Sequence, residues 1–89
     1  MNAPDDLHET TLALLALLDD GEDAASERAI DVRARLARVT ADAGRFEDAL
    51  YQADELLKDA RCAHGEDAEA TATARAALAH VEAALPSTD

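Results

Sequence analysis

Four runs of apolar residues at helical spacing, separated by short polar or glycine-containing breaks, divide the chain. The first run holds Leu7, Leu12, Leu14, Leu15, Leu17 and Leu18. These leucines cover more than one stripe, so a helix over about residues 5–19 is either contacted on two sides or leaves leucines exposed. Pro4, Asp5 and Asp6 suit its opening, because proline is tolerated in a first turn and carboxylates oppose the positive helix pole. Asp19-Asp20-Gly21-Glu22-Asp23 breaks the pattern, with Gly21 as the stop. Ser26 reads as the N-cap of a second helix, about 25–43. In that helix Ala29, Val32, Leu36, Val39 and Ala43 form one stripe, and Ile30, Ala34, Ala37 and Ala41 form a neighbouring stripe of smaller residues. Two stripes let it dock against two neighbours.

Gly44 ends the second helix and Phe46 opens the next almost at once, so helices two and three pair as an antiparallel hairpin. The third helix, about 46–63, points Phe46, Ala49, Leu50, Ala53, Leu56, Leu57 and Ala60 inward, and Leu36 is expected in a central layer with Ala49, Leu56 and Leu57. His64-Gly65 stops it, with His64 beside that helix's negative pole. A fourth helix, about 67–84, presents Ala74, Leu78, Val81 and Leu85, and Pro86 to Asp89 reads as a frayed end. The pattern predicts a single all-α domain of four antiparallel helices spanning residues 1–89.

The runs are not independent of one another. Leu14 and Leu15 recur as Leu56 and Leu57, and Arg33, Ala34, Leu36, Ala37 and Val39 recur as Arg75, Ala76, Leu78, Ala79 and Val81, all 42 residues later. With Asp6/Asp48, Glu27/Glu69 and Ala41/Ala83, ten of the 47 pairs at that offset are identical without a gap. A fixed period in this range marks a repeated supersecondary unit that buries its apolar face by stacking on its neighbours.

The stretch Leu36-Ala37-x6-Gly44-Arg45-Phe46-Glu47-Asp48-Ala49-Leu50, followed by Leu56-Leu57, resembles the tetratricopeptide repeat, and the long period is similar to the kinesin-light-chain variety. Ala63-His64-Gly65-Glu66-Asp67-Ala68 occupies the position of that variety's longer loop. Ala53 stands where the family usually has an aromatic, and Leu56 where it usually has alanine. The resemblance implies one complete repeat, helices two and three, flanked by two halves. It also implies a peptide-receiving groove lined by the first helix of each repeat, with Asp31, Arg35, Arg38 and Asp42 facing it from helix two and Ala77 and His80 from helix four. A short array of this kind either caps itself as a bundle or presents an end to another copy.

Composition sharpens this picture. Of 43 apolar residues 23 are Ala and 12 are Leu, with one Phe, one Tyr and no Trp, which favours closely packed helices with a thin margin of burial. A chain of 89 residues is also near the size at which a single core is marginal. The net charge of −12 argues against nucleic acid, because phosphate contacts need basic groups. Residues 1–23 hold seven acids and no base, whereas residues 24–45 hold three acids against five arginines. Acidic faces of this kind either keep a small domain soluble or meet a basic partner.

Little in the chain points to chemistry. Cys62 and His64 lack the further ligands that zinc requires, and His8, His64 and His80 fall on separate elements. Adjacent acids such as Asp19/Asp20 and Glu47/Asp48 point in different directions on a helix, and no phosphate loop or nucleophile motif is present. No enzyme activity, metal or cofactor is expected. No apolar run is long enough to cross a membrane and the N-terminus lacks a secretory pattern, so no membrane association and a cytoplasmic location are expected. Arg28, Arg33, Arg35 and Arg38 form the one notable cluster: guanidinium groups suit carboxylate recognition, while Asp31/Arg35 is also an ordinary surface pair at i,i+4. Three roles follow. The first is an adaptor for a protein or peptide, acidic in the groove or basic on the acidic faces. The second is a self-associating structural protein, a homodimer among its forms. The third is an acidic antidote or mimic that occupies a partner's basic site.

Overall fold

The computed structural model describes residues 3–86, with side chains from Leu7 onward. The expected frayed end at residues 87–89 and the side chains of Pro4, Asp5 and Asp6 lie outside the described residues. Four helices follow in order: α1 (Ala3–Asp19), α2 (Glu27–Asp42), α3 (Phe46–His64) and α4 (Glu69–Ala84). The described residues contain no strand. The fold is all-α, and each helix lies within about two residues of its expected span.

Local chemistry accounts for the breaks. At the end of α2, the Gly44 N–H donates to the Ala41 carbonyl at 2.9 Å and the Arg45 N–H to the Thr40 carbonyl at 3.1 Å. This is the paired bonding of a Schellman stop, and Gly44 takes the φ of +84° that it requires. Gly21 closes α1 in the same way, through Gly21 N–H to Leu18 and Glu22 N–H to Leu17. Ser26 caps α2, its hydroxyl oxygen accepting from the Ala29 N–H at 3.1 Å.

α2 is the central element. It packs against α1, α3 and α4, α3 also packs against α4, and among the described residues α1 has its backbone close to α2 and to no other helix. One part of the core joins Ile30 and Ala34 of α2 to Leu56, Leu57 and Ala60 of α3 and to Ala70, Ala74 and Ala77 of α4. The other joins Ala37 and Ala41 to Ala49, Ala53 and Val81, and Leu78 packs on both. Alanine at these positions lets three helices approach closely, and Ile30, Leu56 and Val81 supply the largest fully buried apolar side chains.

Two expectations are corrected. Leu36 is not in the central layer: it is half-buried, and Ile30, Ala34, Ala37 and Ala41 take the core face instead. The small stripe wins because α2 must meet both α3 and α4 at short distance, which turns Val32 and Leu36 toward α1. His64 lies in the last turn of α3, beside its negative pole, and its Nε2 lies 2.6 Å from the Ala25 carbonyl in the α1–α2 connection. Phe46, expected to point inward, is half-buried and joins neither part of the core, whereas Leu50, also half-buried, packs on the part built from Ala37, Ala41, Ala49, Ala53 and Val81. Of the two outcomes open for the first helix, the structure takes exposure. Leu12, Leu15 and Leu18 are 52%, 56% and 38% accessible because α1, among the described residues, packs along α2 and has several stripes to cover.

The 42-residue repeat is visible in three dimensions. α4 spans the same positions as α2 shifted by 42, and their N-caps Ser26 and Ala68 share extended backbone angles. Arg33 Nη1 donates to the Ala24 carbonyl at 2.8 Å, and Arg75 Nη1 to the Glu66 carbonyl at 3.1 Å, each nine residues back.

Candidate functional site

The four α2 residues assigned to a groove recur at intervals of four, three and four, which sets them on one helix face. Asp31, Arg35 and Asp42 are exposed on that face and Arg38 is half-buried. Asp42 Oδ1 lies 2.9 Å from Nε2 of His80, so the two residues expected from separate helices meet and tie α2 to α4. Ala77 does not join them. It is fully buried in the core, so it presents no surface to a partner. The reason lies at the end of the stack: among the described residues α4 has α2 and α3 as neighbours, and the face that carries Arg35 on α2 is turned inward on α4.

Ion pairing separates the arginines into two groups. Arg33 reaches Asp59 at 2.9 Å, Arg45 reaches Asp48 at 3.6 Å, and Arg61 and Arg75 share the Glu66 carboxylate at 2.8 and 2.6 Å. Arg28, Arg35 and Arg38 make no ion pair with a described side chain. In a chain with 20 acids and 8 bases, unpaired guanidinium groups on one helix are conspicuous, and Asp31, the expected i,i+4 partner of Arg35, does not engage it. Arg35 forms one wall of a cleft of about 260 Å³ between α1 and α2, with Glu9, Thr10, Ala13 and Val32. Its guanidinium therefore stands beside a concave surface.

A second concavity was not foreseen. Leu14, Arg33, Leu36, Tyr51, Gln52 and Glu55 line a notch of about 160 Å³ where α1, α2 and α3 converge. The Oε1 atom of Gln52 is buried with no hydrogen-bond partner among the described residues, and Tyr51 is 69% exposed. The repeat carried a partial signal for this region, since Leu14, Arg33 and Leu36 all recur 42 residues later, but three elements had to be brought together before the notch existed. A larger, shallow hollow of about 350 Å³ at Gly44, Arg45, Phe46, Glu47 and Asp48 is formed by one continuous turn and holds nothing convergent.

Among the described residues, no group of three or more His, Cys, Asp or Glu side chains converges in a metal-binding arrangement. Cys62 is an exposed free thiol. No described helix is long and apolar enough to cross a membrane. Set against protein-family models, curated proteins and solved structures, the chain matches none of them.

Proposed function

We propose that this chain is a non-catalytic protein-interaction module of tetratricopeptide type that receives an acidic protein or peptide segment across the exposed face of α2. The observation that carries this reading is the pair Arg35 and Arg38, which make no ion pair with any described side chain although acids outnumber bases 20 to 8. A guanidinium at a concave edge is suited to bidentate carboxylate recognition. The cleft beside Arg35 offers Ala13 and Val32 for apolar contact with the same ligand. The Asp42–His80 contact holds α2 and α4 in register at one end of the face, which supports a pre-formed surface. The 42-residue register of α2 and α4 supports the repeat reading itself.

With one complete repeat the surface is small, and affinity is modest. The test is affinity capture at low salt, comparing the wild type with a double variant, Arg35→Ala and Arg38→Ala. A partner held in stoichiometric amount by the wild type and lost from the double variant supports the reading. Equal capture by both proteins, or none by either, refutes it.

A further inference from the structure

Two faces of the molecule lack the covering that their repeat equivalents possess. On α2, Ile30, Ala34, Ala37 and Ala41 are all buried against α3 and α4. Their 42-residue equivalents on α4, Ala72, Ala76, Ala79 and Ala83, are all exposed. On α3, Leu57 and Ala60 are buried in the same cluster as Ile30 and Ala34. Their equivalents on α1, Leu15 and Leu18, are 56% and 38% exposed. Each open face is thus the repeat image of one of two faces that already meet inside the chain.

We infer that the α1 leucine face of one molecule docks on the α4 alanine face of a second copy, repeating between molecules the contact that α2 and α3 make within one. The two faces are complementary in size, because leucine side chains project from α1 and alanines leave hollows along α4. The intermolecular contact continues an interface the chain already possesses. The contact joins unlike faces, so it is heterologous and propagates rather than closing at two. The net charge of −12 opposes it at low ionic strength, and salt strengthens it by screening.

Leu12 supplies an internal control. It is as exposed as Leu15, yet its repeat equivalent is Asp54, an exposed acid on α3. Repeat-register docking leaves Leu12 at the rim, whereas unspecific apolar association engages it as fully as Leu15.

The experiment is sedimentation of the full chain, under reducing conditions because Cys62 is exposed, from micromolar to millimolar concentration. The wild type is expected to grow past twice its 9.4 kDa mass as concentration rises. Leu15→Glu and Ala76→Glu, both at exposed sites and both checked for wild-type helicity by circular dichroism, are each expected to remain at 9.4 kDa. Their equimolar mixture is expected to form a heterodimer of twice that mass, since one retains an intact α4 face and the other an intact α1 face. Leu18→Glu with Ala79→Glu provides a second pair that behaves alike, and Leu12→Glu still associates. The inference is overturned by a wild type that stays monomeric, by variant mixtures that stay monomeric, or by loss of association in Leu12→Glu as complete as in Leu15→Glu.

Discussion

Arg33 and Arg75 perform the same task 42 residues apart: each reaches back nine residues to clasp the connection that leads into its own helix. Arg33 donates to the Ala24 carbonyl and Arg75 to the Glu66 carbonyl. The similarity ends at the second nitrogen. Arg33 Nη2 crosses to Asp59 on α3, whereas Arg75 Nη2 stays with Glu66 in its own loop. Repetition thus preserves the local clasp while the tertiary setting chooses the partner carboxylate.

Because the Arg33 side chain is only 16% exposed and joins two elements, Arg33→Ala is expected to cost about 1–2 kcal/mol, discounted for an Asp59 that is 43% exposed. Arg75→Ala acts on a pair near half exposure at both ends and is expected to cost less than about 1 kcal/mol. Chemical denaturation of both variants measures the difference, and equal losses would contradict the distinction.

The core assignment orders two leucines. Leu56 is fully buried at the junction of α2, α3 and α4, so Leu56→Ala is expected to lose about 2–5 kcal/mol through transfer and cavity terms. Leu36 is half-buried beside the notch, where water already reaches its surroundings, and Leu36→Ala is expected to lose about 1–2 kcal/mol. Unfolding midpoints that place Leu36→Ala below Leu56→Ala would show that the larger α2 stripe is the core after all.

Gly44 tests backbone conformation without a steric complication. A Cβ at this position meets nothing within 4 Å, so substitution reads the cost of φ at +84° alone. Gly44→Ala is expected to destabilise by about 1 kcal/mol, Gly44→Asn by less because asparagine tolerates the left-handed region, and Gly44→Val by more. Thermal unfolding of the three variants supplies the order.

The helix caps offer a gain as well as a loss. Ser26→Ala removes the acceptor for the Ala29 N–H and is expected to cost about 1 kcal/mol. Ala68 has nearly the same backbone angles at the equivalent position but no side-chain cap, so Ala68→Ser is expected to add about 0.5–1 kcal/mol. A neutral Ala68→Ser in denaturant titration would mean that Thr71, whose hydroxyl donates to the Gly65 carbonyl, already organises that turn.

Features that depend on near neighbours along the chain are legible in the amino-acid order. Gly21 and Gly44 stop α1 and α2, Ser26 starts α2, and the 42-residue offset returns as matching spans of α2 and α4, because caps, glycine conformations and helical periods act within a few residues. Tertiary structure decided which face of each helix is covered. Both stripes of α2 are apolar, and the choice of Ala34 and Ala37 over Val32 and Leu36 for the core follows from how closely α3 and α4 approach, which no residue of α2 encodes alone. The same holds for the candidate site. The face of Asp31, Arg35 and Asp42 was legible as a helical stripe, but the Asp42–His80 contact, the burial of Ala77 and the notch at Gln52 arise only when helices distant in sequence share space. Charge pairing is decided in the same way: Arg33 and Arg35 are two residues apart, and helical geometry sends one to Asp59 and leaves the other beside an open cleft.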